Sequence, residues 1–141
     1  MKAILIVDDS PADRAALRIA FQQTGLPLAL HFAPSSADAL EMLKPDNQND
    51  NQLVPHLMMV DVKMPGTSGI ELLKLLKSNE SLMTIPVFMF SGSDDQQDID
   101  EAYRAYASGY IRKPSDLDEL NVIATTLGKM CCNVLAFSVP H

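Results

Sequence analysis

The chain has 141 residues, which is enough for one domain of common size. Apolar residues make up 47% and charged residues 21%, a composition typical of a folded globular domain and unlike that of a disordered tail, a fibre or a coiled coil. Eighteen acidic and eleven basic residues give a net charge of −7, so we expect no direct contact with nucleic acid or with an anionic membrane.

No stretch approaches the run of about 18 apolar residues that a transmembrane helix needs. The N-terminal MKAILIVDDS has a short apolar run that meets acidic residues at once, and is interpreted as a first strand rather than a signal peptide. The two cysteines, Cys131 and Cys132, are neighbours and cannot join distant parts of a fold. We therefore expect a cytoplasmic protein with reduced thiols.

Five short apolar runs are predicted to be buried strands, because they are apolar on successive rather than alternate residues. In chain order they are Ala3–Val7, Leu28–Phe32, Leu57–Val60, Val87–Phe90 and the weaker Tyr110–Ile111. Segments with helical apolar spacing lie between them and after the last one. This alternation predicts one α/β domain whose parallel sheet is covered by helices on both faces.

Helix starts are indicated by serines that have an acid three positions later. These pairs are Ser10/Asp13, Ser35/Asp38, Ser68/Glu71 and Ser115/Asp118. Each can form a capping box, in which the hydroxyl accepts from the amide of the acidic residue and the acid reaches back. Gly25 and Gly109 follow helical runs and are predicted to be left-handed caps.

Two segments differ from this pattern. The polar segment Lys44–Val54 is predicted to be a surface loop, either a tolerated insertion or a contact segment. We expect a domain over residues 1–130 and a short C-terminal extension over residues 131–141, with no output domain. The extension could continue the last helix, dock back on the domain or help to form a dimer.

Polar residues follow the predicted strands at their carboxyl ends, where open parallel sheets bind ligands. In chain order they are Asp8, Asp9, Asp61, Ser91 and Lys113. Each taken alone has an ordinary structural interpretation as a cap, a turn residue or an exposed lysine. Three carboxylates that meet at one edge repel one another, so a divalent cation with oxygen ligands, Mg²⁺ above all, suits such a site.

This set of residues also fits phosphoryl transfer. A strand-end aspartate near a metal ion can attack a phosphoryl group and form an acyl phosphate. The new oxygens then need the metal ion, the charge of a lysine and a hydroxyl donor for stabilisation. The combination predicts a phosphoryl-transfer site, although no single residue does.

The motifs ILIVDDS, VDVKMPGTSG, FMFSGSD and GYIRKP stand in order along residues 2–130. In these motifs and their intervals the chain resembles a response-regulator receiver domain, similar to the chemotaxis receivers. The resemblance implies a flavodoxin-like, doubly wound parallel sheet of five strands in the order 2-1-3-4-5 with five helices. The predicted loop and the lack of an output domain resemble the stand-alone regulators that are paired with phytochrome-type and other sensor kinases.

The resemblance assigns a metal site. Asp9 and Asp61 resemble direct Mg²⁺ ligands, and Asp8 resembles a ligand that acts directly or through water. The backbone carbonyl of Lys63 corresponds to the third protein ligand.

The resemblance also assigns a switch. Asp61 resembles the phosphoacceptor that takes phosphate from a histidine kinase or a histidine phosphotransfer protein, and Lys113 resembles its ion-pair partner. Ser91 and Tyr110 resemble the switch hydroxyl and the aromatic that turns inward with it; a half-buried strand aromatic is the other interpretation of Tyr110. Phosphorylation would alter the face of the fourth helix, fifth strand and fifth helix for partner binding or for homodimerisation. Such a protein is a phosphoacceptor with at most self-catalysed transfer and dephosphorylation, not an enzyme.

Three alternatives remain open at this stage. A haloacid-dehalogenase-type phosphohydrolase needs a second aspartate where this chain has Lys63. A flavodoxin-like cofactor binder needs a phosphate loop where this chain has Asp8 and Asp9. A receiver-like binding scaffold that works without phosphorylation keeps all the features above.

Overall fold

The computed structural model describes residues 1–45 and 52–136. Residues 46–51 of the predicted loop and residues 137–141 of the predicted extension lie outside the described residues. Across the part that is described, no helix combines the length and the apolar character needed to cross a membrane.

Strands and helices alternate along the whole described chain. The strands are β1 (Lys2–Val7), β2 (Leu28–Ala33), β3 (Leu57–Val60), β4 (Val87–Ser91) and β5 (Gly109–Arg112). The helices are α1 (Pro11–Gln23), α2 (Ser36–Leu43), α3 (Gly69–Ser78), α4 (Gln96–Arg104) and α5 (Leu117–Lys129), and a π-helical turn, Met130–Val134, continues α5. Each predicted strand is therefore present, and four of the five are one to two residues longer than predicted.

The sheet is entirely parallel and has the order β2-β1-β3-β4-β5, which confirms the predicted fold. Its central strands are apolar on successive residues because both faces are covered. In β1, Leu5 and Val7 belong to the core under α2, α3 and α4, whereas Ile4 and Ile6 belong to the core under α1 and α5. The strand ends thus lie between two helical layers.

Three of the four predicted serine caps are correct. Ser10, Ser35 and Ser68 accept hydrogen bonds from the amides three residues later, at 3.2, 3.1 and 3.2 Å. The fourth prediction is wrong, because Asp116 and not Ser115 caps α5 and accepts from the Glu119 amide at 2.8 Å. A charged acceptor at a helix N-terminus gains from the helix dipole, which favours Asp116 over its neighbour.

The two predicted glycine caps have different outcomes. Gly25 has φ +69° and ends α1 as predicted. Gly109 is instead the first residue of β5, where a Cβ would come within 2.9 Å of the Phe88 ring, so the need for glycine there is one of space. The left-handed residue after α4 is Tyr106, with φ +70°.

The described part of the extension packs on the domain. Cys131 is fully buried in the core under α1 and α5, and Leu135 packs against the same core. Of the three roles considered for the extension, it therefore continues the last helix and docks on the domain as far as the structure describes it.

Candidate functional site

The predicted site residues converge at the carboxyl edge of the sheet. Val7 and Val60 are partners in the ladder between β1 and β3, so Asp8 and Asp61 leave neighbouring strands side by side. The amide of Asp61 donates to the Val7 carbonyl at 2.9 Å. On the other side, the Lys113 amide donates to the carbonyl of Ser91, the last residue of β4, at 2.8 Å. Backbone pairing alone therefore brings four chain segments to one edge.

Three carboxylates form a compact cluster there. Asp8, Asp9 and Asp61 each offer one carboxylate oxygen, and these oxygens lie within 4.8 Å of one another. Asp8 and Asp61 are buried, whereas Asp9 is exposed at the solvent side. The Oδ2 atom of Asp8 is buried, and the Lys113 ammonium lies 2.9 Å from it without the alignment of a hydrogen bond. A buried carboxylate oxygen that receives no aligned hydrogen bond, beside two further carboxylates, fits a divalent metal ion with hard oxygen ligands.

Lys113 supplies the ammonium of the site. Its Nζ lies 2.7 Å from Asp13, 2.9 Å from Asp8 and 3.1 Å from Asp61. Burial works against the charged form, but the contacts of the ammonium with the three carboxylates, which accept from it or pair with its charge, outweigh burial and raise the pKa of Lys113. The lysine is therefore a permanent cation that touches the candidate acceptor.

The carboxylates still exceed the cations at this edge. Burial raises the pKa of Asp8, although a hydrogen bond from the Ser10 amide at 2.9 Å and the neighbouring Lys113 oppose the shift. The nearby Asp61 charge adds to the raised pKa. One ammonium, together with the Arg14 guanidinium that donates to the Asp8 backbone carbonyl at 2.7 Å, still leaves more carboxylates than cations at this edge, as expected for a site that takes a cation.

Ser91 and Tyr110 meet at the loop between β4 and α4. The buried Ser91 hydroxyl accepts from the Ser93 amide at 3.1 Å, and the Tyr110 hydroxyl donates to the Ser93 carbonyl at 2.7 Å. The Ser93 hydroxyl in turn donates to Asp98 in the first turn of α4 at 2.9 Å. The two predicted switch residues are thus both bonded to the loop that leads into α4.

The loop after Asp61 places a glycine against the candidate acceptor. A Cβ at Gly69 would overlap the backbone carbonyl oxygen of Asp61, and the Gly69 amide donates to the Val62 carbonyl at 2.9 Å. The N-terminus of α3 can approach Asp61 this closely only because residue 69 has no side chain. In the same loop, the Lys63 side chain is exposed and lines an open cavity of about 580 Å³. The assignment of its carbonyl as a metal ligand stays a prediction.

Asp13 is the site residue that the sequence reasoning missed. It is predicted as a capping acid of α1, yet its carboxylate makes the shortest of the three ion pairs with Lys113. A signal was available, since Asp13 follows Asp9 by four residues and so lies one turn into the helix that leaves the same edge of the sheet.

The model of the response regulator receiver domain family matches residues 4–125. The chain therefore belongs to this family, the receiver domains of two-component response regulators. As receiver domains are phosphoacceptors that work with histidine kinases or phosphotransfer proteins, the family agrees with the expectation drawn from the motifs.

Two relatives are similar over almost their whole length. Response regulator Rcp1 from Synechocystis sp. is 27% identical over 119 residues, which are 84% of this chain and 81% of Rcp1. The structure of the phosphorylated cyanobacterial phytochrome response regulator RcpA has a TM-score of 0.89 at 25% identity and covers 98% of this chain and 99% of that one. The Mn²⁺-bound form of Rcp1 has a TM-score of 0.87 at 23% identity, with 99% and 100% covered.

Proposed function

We propose that this chain is a response regulator that accepts a phosphoryl group on Asp61, in an Mg²⁺-dependent reaction, from a histidine of a sensor kinase or a phosphotransfer protein. The observation that carries the proposal is the contact of Lys113 with Asp61 at 3.1 Å inside a cluster of carboxylates. The relatives support it, since RcpA is known in a phosphorylated form and Rcp1 in an Mn²⁺-bound form.

The transfer follows from what the side chains can do. A carboxylate oxygen of Asp61 attacks the phosphorus, a new O–P bond forms and the P–N bond to the donor imidazole breaks. The electron pair of that bond stays on the imidazole nitrogen, which takes a proton from solvent. Lys113 is placed to donate to the phosphoryl oxygens as they arrive. Mg²⁺ held by Asp8, Asp9, Asp61 and the carbonyl of Lys63 would neutralise the charge on those oxygens.

The switch would run through the β4–α4 loop. In this structure the Ser91 hydroxyl accepts from the Ser93 amide. An acyl phosphate on Asp61 would offer that hydroxyl a new acceptor for its own proton. A shift of Ser91 disturbs the same loop to which Tyr110 donates. Because β5 is an edge strand, this change reaches the surface of α4, β5 and α5, where a partner or a second copy would bind.

The proposal includes a cytoplasmic location and the division of this chain into a receiver domain, residues 1–130, and a short extension, residues 131–141. The family model over residues 4–125 supports the bounds of the receiver domain.

Intact mass spectrometry after incubation with acetyl phosphate and Mg²⁺ tests the proposal. Wild type is expected to gain one phosphoryl group with metal and none with chelator, and Asp61→Asn to gain none. Asp38→Asn is the matched control, because Asp38 is an exposed acid in α2 bonded to Ser35, and it should gain one group. No adduct on wild type would overturn the proposal and favour the scaffold that binds partners without phosphorylation.

A further inference from the structure

Lys113 has one carboxylate partner that stands outside the candidate metal cluster. Asp8 and Asp61 belong both to the cluster and to the lysine, whereas Asp13 pairs with the lysine alone. The Asp13 contact is also the shortest, at 2.7 Å, and its side chain is 40% exposed. The same ammonium therefore pairs with a carboxylate of α1 as well as with two carboxylates at the strand ends.

Local hydrogen bonding explains why Asp13 is free for this contact. In a capping box the acid would accept from the backbone amide of the serine. Here the Ser10 amide donates to Asp8 Oδ1 at 2.9 Å, so the Asp13 carboxylate is released and turns to Lys113. The cap still holds the backbone, since the Ser10 hydroxyl accepts from the Asp13 amide at 3.2 Å.

The anchor is rigid. Asp13 lies in the first turn of α1, and α1 is fixed by the fully buried Leu17 and Phe21 in the core that it shares with α5. An ion pair from such a helix costs little side-chain freedom, because aspartate has few rotatable bonds.

We propose that Asp13 is a positioning residue of the acceptor site, whose carboxylate anchors the Lys113 ammonium from outside the metal cluster and keeps it beside Asp61 when a divalent cation occupies the cluster. This inference rests on the proposed function. It assigns a role to a residue that neither touches the phosphoryl group nor binds the metal ion.

The role follows from competition for oxygen atoms. A cation bound by Asp8 and Asp61 repels the ammonium and takes up the oxygens that the ammonium contacts. With Asp13 present, the Lys113 ammonium stays paired with one carboxylate and can give up its contacts with Asp8 and Asp61 to the cation. Without Asp13, the ammonium depends on Asp8 and Asp61 alone, so the cation has to displace it.

The test is a double-mutant cycle on Mg²⁺ affinity, which does not depend on phosphorylation. Asp13→Asn keeps the size of the side chain and removes its charge, and Lys113→Met keeps the aliphatic stem and removes the ammonium. Backbone amide NMR titration is suitable, because the chain has no tryptophan to report binding by fluorescence. Asp38→Asn, the acid at the equivalent position of α2, is the matched control.

Asp13→Asn is expected to weaken Mg²⁺ binding about fivefold when Lys113 is present, through loss of the coupling. In the Lys113→Met background the same change should weaken binding at most about twofold, from the remaining long-range charge effect. Asp38→Asn should leave the affinity unchanged. An equal loss in both backgrounds, or no loss in either, would overturn the inference.

The acetyl phosphate assay separates this inference from the proposed function. If wild type gains a phosphoryl group but the effects of Asp13→Asn and Lys113→Met on Mg²⁺ affinity are additive, the role of Asp13 is overturned and the phosphoacceptor proposal stands. If the two effects on Mg²⁺ affinity are coupled but wild type gains no phosphoryl group, the anchoring of Lys113 by Asp13 is supported and the phosphoacceptor proposal is overturned.

Discussion

Replacement of Lys113 by methionine perturbs the site most strongly. Three carboxylates share its ammonium at 2.7, 2.9 and 3.1 Å, and its side chain is only 18% exposed. Methionine keeps most of the aliphatic stem, so the substitution removes charge more than packing; the charge removed also includes the contact of the ammonium with the Phe90 ring, 5.8 Å from the ring centre. Asp8 and Asp61 would remain as buried carboxylates without their cation. We expect the metal-free protein to be clearly less stable.

The size of the loss can be worked out from the geometry. One ion pair at 2.9 Å is worth about 6 kcal/mol at an effective dielectric constant of about 20, before the cost of desolvation. Desolvation of the lysine costs several kcal/mol and cancels much of this gain. Removal of one member of a buried pair typically costs about 3–5 kcal/mol. The partial exposure of Asp13 and Lys113 places this site at the lower end, about 3 kcal/mol.

Urea unfolding followed by far-UV circular dichroism, with chelator present, measures this loss. In a thermal scan, the same loss of about 3 kcal/mol would lower the melting temperature by about 10 °C for a chain of this size. Lys74→Met is the matched control, because Lys74 pairs with Glu101 at 2.7 Å on the surface, and it should cost less than about 1 kcal/mol. If Lys113→Met is as stable as wild type without metal, the ion pairs at Lys113 contribute no net stability and this reasoning is refuted.

Two further predictions concern packing and burial. Gly69→Ala should destabilise the protein by about 3 kcal/mol in urea unfolding, because its Cβ would overlap the backbone carbonyl of Asp61. Gly92→Ala is the control and should change the stability little, because the space around its Cβ is open. Equal losses of stability in the two variants would contradict the packing at Gly69. Burial, together with the adjacent Cys132, raises the pKa of the Cys131 thiol to about 11. Iodoacetamide at pH 8 should therefore modify the half-buried Cys132 first. Equal rates of modification of the two cysteines, measured by peptide mapping, would refute the burial of Cys131.

The fold was predictable because it depends on patterns that span whole elements. The strand Leu57–Val60 is buried on both faces and is apolar on successive residues. Such a run identifies an inner strand even when the exact ends of the strand are not predicted. Convergence of the strand ends was predictable for a similar reason, since parallel strands all finish at one edge. The family resemblance supplied the strand order, which apolar patterns do not contain.

The wrong predictions are those where a local pattern has two physical solutions. Serine followed by an acid at the third position predicts a cap, and Ser115 shows the pattern, yet Asp116 offers a stronger acceptor one residue later. Glycine after a helix serves as a left-handed cap or makes room for a neighbour, and Gly109 makes room for the Phe88 ring.

Asp13 shows why part of the site was missed in the sequence. Its acid could cap α1 or pair with a lysine, and its partner, Lys113, is 100 residues away in the chain. The choice depends on Asp8, which takes the Ser10 amide and so releases Asp13. The spacing from Asp9 places Asp13 near the edge of the sheet, but tertiary structure decides that it pairs with Lys113.

The central claim is that Asp61 carries the phosphoryl group. Its most direct test is reductive trapping: the protein is treated with acetyl phosphate and Mg²⁺, then with borohydride, which reduces an aspartyl phosphate to homoserine, and the peptides are sequenced by mass spectrometry. We expect homoserine at position 61 and at no other aspartate, and none when Mg²⁺ is withheld. Homoserine at Asp8, Asp9 or Asp13, or its absence from every peptide, would contradict the account.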